Sequence, residues 1–166
     1  MRWTLTLAAA GAIVACGAGA AMAQTAAPPA AAVTQFASSA DIQALVAKAR
    51  AVRTAAQPNL TGQKIVGLAP YVANLEVRSA AAGAAVHEKE DELFYVVAGS
   101  ATVITGGQLT HMTRTNPANL TGEGIEGGTS RSVGKGDMLL VPQNTPHQFI
   151  AIKGELIMVS LHLPRG

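Results

Sequence analysis

Two imidazoles and one carboxylate, His87, Glu92 and His147, are the groups of this chain whose types and spacing best suit joint chemistry. They fall in two stretches, AVHEKEDELFYVVAG over residues 85 to 99 and GDMLLVPQNTPH over residues 136 to 147. Two histidines and a carboxylate match a facial set of metal ligands that leaves coordination positions open. Such nitrogen and oxygen donors suit a divalent ion, Fe(II) first, with Mn, Zn, Ni or Cu as alternatives.

The elements that must position these groups are short strands. His87 closes one apolar run and Glu92 opens another, while Glu88, Lys89, Glu90 and Asp91 between them read as a solvated hairpin turn that folds the two ligands together. Period-two alternation puts Glu92, Phe94 and Val96 on one face of the second strand. A carboxylate among apolar neighbours needs a cation or hydrogen-bond donors to offset its desolvation. In the second stretch Gly136 and Asp137 lead into a strand, Pro142 to Pro146 turn the chain, and His147 opens the next strand on one face with Phe149 and Ala151. Phe94 and Phe149 are expected to face the interior, giving a small-ligand pocket with apolar walls and a polar floor.

Around these stretches the chain reads as one domain. With 166 residues, 49% of them hydrophobic, it can bury one core. Ser38 or Ser39 is a good N-cap, and Ile42, Leu45, Val46, Ala49 and Val52 follow helical spacing, which predicts a helix over 39–55. Residues 38–60 are thus a helix and its connection. From 61 to 166 short β-prone runs recur between Gly, Pro and Asn, the pattern of an all-β sandwich or small barrel. One alternates clearly, with Tyr71, Ala73, Leu75 and Val77 against Val72, Asn74, Glu76 and Arg78. Residues 114–128, RTNPANLTGEGIEGG, carry no strand pattern and are expected to form a functional loop over a pocket mouth.

The first 23 residues read as a secretory signal peptide: Arg2 is a positive start, Leu5 to Ala15 an apolar stretch, and Ala21-Met22-Ala23 a cleavage signal. Residues 24–37 are an Ala/Pro-rich leader without a pattern that could bury a face. The chain is therefore expected outside the cytoplasm, periplasmic or secreted. As an alternative, Ile13-Val14-Ala15-Cys16 would mark a lipoprotein anchored through Cys16. Cys16 is the single cysteine, so cleavage after Ala23 leaves a domain without disulfides. No transmembrane span is expected after cleavage, because the apolar stretch falls short of the roughly 20 residues a spanning helix needs. Charged residues make up 13% with a net charge of +2 and no basic block, which argues against nucleic acid as a partner.

The two stretches resemble the cupin superfamily, whose first motif runs G-x5-H-x-H-x(3,4)-E-x6-G and whose second runs G-x5-P-x-G-x2-H-x3-N. His87, Glu92 and Gly99 match the second half of the first motif, and Gly136, Pro142 and His147 match the second, with Asn144 in the place of its inner Gly. The resemblance covers residues 63 to 163 and implies a double-stranded β-helix, the cupin jelly roll, with ligands lining its interior. Carried over, the family's metal ligands fall on His87, Glu92 and His147. Two positions depart: Ala85 stands where the first-motif His would fall, and Ala151 where the closing Asn would fall. Both are expected to line the pocket. His111 or His162 could replace the absent ligand, and Glu126, between glycines of the long loop, could handle protons.

Two functions follow. One is a metal-dependent oxygenase, isomerase or lyase acting on a small molecule; the other is a non-catalytic cupin that binds a small molecule or sugar without metal. A homodimer is expected to protect exposed β edges.

Overall fold

The computed structural model describes residues 35–165. The signal peptide and most of the Ala/Pro-rich leader lie outside the described residues. The first element, α1 (Ser39–Val52), starts with a reciprocal cap: Ser38 Oγ accepts from the Asp41 amide at 3.2 Å, and the Asp41 carboxylate accepts from the Ser38 amide at 2.8 Å. The helix stops three residues short of the expected 55 because Arg53 turns extended and sends its guanidinium to the Pro58 carbonyl and to Glu155. Among the described residues no helix is long and apolar enough to cross a membrane.

The rest of the described chain is an antiparallel jelly roll of thirteen strands. The first sheet has the order β1 (Asn59–Leu68), β2 (Tyr71–Arg78), β13 (Leu156–Pro164), β4 (Glu90–Ala98), β11 (Met138–Val141). The second has the order β10 (Thr129–Gly134), β5 (Ser100–Thr105), β12 (His147–Ile150), β3 (Ala84–His87), β8 (Asn119–Gly122), β7 (Thr113–Asn116). A small pair, β6 (Gln108–Thr110) and β9 (Gly124–Glu126), completes the fold. The expected loop over 114–128 is therefore a correction. Its residues pair as β7, β8 and β9, with β8 laid along β3 so that Asn119 lies opposite His87. Polar, exposed segments such as β7 show no hydrophobic alternation, and it is backbone pairing that fixes them.

Strand alternation sorts the first sheet into two faces. Leu75, Val77 and Ile157 turn outward and bury against Ala49 and the apolar stripe of α1. Phe94, Val96, Val141, Leu156 and Met158 turn inward and meet Ala101, Val103 and Phe149 of the second sheet. The same inward rows continue as Glu92 on β4, His147 on β12, and Ser160 and His162 on β13. The barrel interior is thus apolar toward one end and polar toward the other, and the change falls within single strands.

Candidate metal centre

The polar end holds three imidazoles around one carboxylate. His87 Nε2 and His147 Nε2 lie 3.1 and 3.2 Å from Glu92 Oε2, and His162 Nε2 lies 3.4 Å from Glu92 Oε1. Ligand atoms of His87, Glu92 and His162 all lie within 4.8 Å of one another. His147 joins from β12, on the same sheet as His87, its ring 5.4 Å from that of His87. The histidine that complements the expected trio is therefore His162, which faces Glu92 in the β13–β4 register.

Each imidazole is held on its other nitrogen. His87 Nδ1 is 2.8 Å from Asn119 Oδ1, His162 Nδ1 is 2.7 Å from Glu90 Oε1, and His147 Nδ1 is 3.4 Å from the Thr145 carbonyl. Oxygen acceptors at Nδ1 make that nitrogen the donor and aim Nε2 at Glu92. Glu92 is 4% exposed. Burial opposes its ionisation, yet the His147 and His87 imidazoles outweigh burial and hold the carboxyl down at about 2. Burial also opposes a proton on His87, but Glu92 and Asn119 raise its pKa above the usual imidazole value.

Backbone details bring the two stretches together. The Asn144 amide donates to the His87 carbonyl at 2.8 Å from a left-handed φ of 60°. Asparagine is among the few side chains that tolerate this region, which explains its presence where the motif has glycine. Gly99 has φ 83°, and a Cβ there would overlap the Glu155 carbonyl oxygen, so the last motif glycine is sterically required.

Several expectations are corrected by their placement. Glu88 to Asp91 are not a free solvated turn: Glu90 and Asp91 open β4, Glu90 holds His162, and buried Asp91 accepts from Arg165 Nε at 2.7 Å and the Gln143 amide at 2.9 Å. Phe94 and Phe149, each 1% exposed, pack beneath the site instead of lining it, with ring centroids 5.0 Å apart and Phe94 5.7 Å from the His147 ring. Ala85 does line the cavity. Ala151 does not; it is exposed on a turn after β12 with φ 49°. His111 is exposed and pairs with exposed Glu123 at 3.2 Å, and Glu126 is exposed on β9, so neither joins the cluster.

The cavity over the cluster is small, about 230 Å³. Its lining also carries Asn74, Glu76, Arg78 and Ser160, which were not among the expected site residues. Their signal was the alternation of β2, where the polar set Asn74, Glu76 and Arg78 would normally be assigned to solvent. Here Leu75 and Val77 pack on α1 and the polar set turns into the barrel.

The cupin family model matches residues 41–162, and the chain belongs to that family. No curated protein matches the sequence. Among solved structures, the chain is similar to KdgF from Halomonas sp., with 19% identity over 69% of this chain and 87% of that one and a TM-score of 0.48. It is also similar to the Fe(II) form of HppE, with 15% identity over 68% of this chain, 54% of that one and a TM-score of 0.50. TT1209 from Thermus thermophilus is similar at 15% identity over 70% of this chain and 93% of that one, with a TM-score of 0.49.

Proposed function

We propose that this chain is an exported cupin that holds one divalent metal ion through His87, Glu92, His147 and His162 and works on a small organic molecule beside it. One observation carries the reading: three imidazoles, each bonded at Nδ1 to an oxygen, turn Nε2 toward the same buried carboxylate. With Nδ1 as donor, Nε2 can face a carboxylate favourably only when protonated or when a cation stands between them. Three imidazolium ions crowded around one carboxylate would repel each other, whereas one divalent ion satisfies all four groups.

The donor set fits the ion. Imidazole nitrogen and carboxylate oxygen suit Fe, Mn, Zn, Ni or Cu, and the acceptors at Nδ1 are the orienting partners such ligands use. When bound, a divalent ion supplies Lewis acidity to a substrate oxygen. His87, His147 and His162 keep their rings aimed, and Phe94 and Phe149 close the floor against water. Export rests on the pattern of residues 1–23.

The test is elemental analysis of the full chain expressed with its leader, beside His87→Ala and His162→Ala variants, with the processed N-terminus read by mass spectrometry. Near-stoichiometric metal, lost in both variants, supports the centre. Wild-type protein that carries no metal and gains no thermal stability from Fe(II), Mn(II), Zn(II), Ni(II) or Cu(II) overturns it. Oxygen uptake by the loaded protein then separates oxygenase from isomerase or lyase chemistry.

A further inference from the structure

Beside the histidine cluster the same cavity is lined by an arginine, a buried hydroxyl and an amide. Arg78 and Glu76 project from β2 into it, and both are largely buried, with side-chain exposures of 14% and 6%. Arg78 Nε and Nη2 both donate to Glu76 Oε2, at 2.9 and 2.7 Å, which leaves Nη1 outside the pair. The guanidinium carbon sits 5.4 Å over the Phe149 ring, so the fork is fixed from below as well as from the side. Beside it on β13, Ser160 is 1% exposed, lines the same cavity, and its Oγ has no hydrogen-bond partner among the described residues. A buried hydroxyl without a partner carries a desolvation penalty that a ligand oxygen would remove. Asn74, directly opposite Ser160 in the β2–β13 register, adds an amide to the same wall.

We infer that Arg78, Ser160 and Asn74 form a carboxylate-binding subsite, and that the ligand is a short monocarboxylate with a second oxygen toward the histidine cluster. This deepens the metal-centre reading and rests on it for the second oxygen. Charge favours one negative group: a divalent ion and Arg78 against Glu76 and Glu92 leave a single positive charge in the lining. Size favours a short chain, since about 230 Å³ holds roughly eight waters at about 30 Å³ each and lies below the range of drug-sized pockets.

Binding of 3-hydroxypropanoate, 4-hydroxybutanoate and 5-hydroxypentanoate, each beside its amide and its diol, tests this by calorimetry on the full chain with and without Mn(II). At least one acid is expected to bind about tenfold tighter than its amide. Because Arg78→Gln alone would strand buried Glu76, the informative variants are Ser160→Ala and the double Glu76→Gln/Arg78→Gln, with folding checked by circular dichroism. The preference should fall below about threefold in the double variant and weaken in Ser160→Ala, while Mn(II) content stays at the wild-type level. Acids that bind no tighter than amides in either form, or a preference that survives the double variant, overturn the subsite. Loss of Mn(II) binding in the wild type with the acid preference intact overturns the metal centre and keeps the subsite.

Discussion

His162 stands directly opposite Glu92 across the β13–β4 ladder, with its Nε2 3.4 Å from Glu92 Oε1 and its Nδ1 2.7 Å from Glu90 Oε1. One side chain thus bonds one carboxylate of the neighbouring strand and turns its other ring nitrogen toward a second, two residues away on the same face. Such a histidine is oriented for coordination before any ion arrives.

His162→Ala is therefore expected to weaken metal binding at least as much as losing an orienting partner does, about 10- to 100-fold. Competition titration against a chelator reads this directly. His111→Ala, on the exposed pair with Glu123, serves as the control and should leave affinity within about twofold. Equal affinities for wild type and His162→Ala would remove His162 from the ligand set.

Ala85 gives the complementary test. It lies opposite His147 in the β12–β3 register, lines the cavity, and occupies the position of the family's first-motif histidine. An imidazole placed there would reach into the cavity from the sheet opposite His162. Ala85→His in the His162→Ala background is expected to restore metal affinity to within about tenfold of wild type. Overpacking would cost about 1–3 kcal/mol, visible in urea unfolding. No recovery of affinity in a folded double variant would mean that the two positions do not serve one ion.

A sandwich or small barrel was legible from strand alternation and the trio His87, Glu92 and His147 from ligand spacing, both of which act over short stretches of sequence, whereas the jelly roll itself came from the resemblance of those stretches to the cupin motifs. His162 was legible only as a candidate, since its approach to Glu92 depends on the pairing of β13 with β4, a contact 70 residues apart in the chain. The polar wall was hidden for a different reason. Alternation on β2 tells which residues share a face, and only the packing of α1 on Leu75 and Val77 tells that Asn74, Glu76 and Arg78 look inward. The strands β7 to β9 left no hydrophobic trace because their pairing is carried by backbone groups.

Glu155 predicts the acid limit of the helix dock. Its carboxylate pairs with Arg50 at 2.7 Å and with Arg53, and Arg50 leads the influences that hold its pKa below the ordinary 4.5. A depressed folded-state pKa means the unfolded chain binds the proton more readily. The contribution is therefore fully present above about pH 4.5 and is lost as pH falls through the lower folded value. Stability of wild type should exceed that of Glu155→Gln near neutrality, and the two curves should converge on acidification. Parallel urea-unfolding curves from pH 7 to pH 3 would show that the pairs contribute nothing pH-dependent.

Two left-handed positions should respond in opposite directions to changes of one methyl group. Gly99 at φ 83° has the Glu155 carbonyl where a Cβ would go, so Gly99→Ala adds a backbone clash to the ~1–2 kcal/mol cost of the conformation itself. A loss of about 2 kcal/mol or more is expected in urea unfolding. Ala151 already occupies this region at φ 49° on an exposed turn. Ala151→Gly removes about 1–2 kcal/mol of strain and adds about 0.5–1 kcal/mol of backbone entropy cost, for a net gain of up to about 1.5 kcal/mol. Ala151→Asn should gain stability as well, because asparagine tolerates the same region and the exposed site has room for its side chain. Destabilisation by both Ala151 replacements would mean that the turn is held by contacts of the alanine methyl and not strained by it.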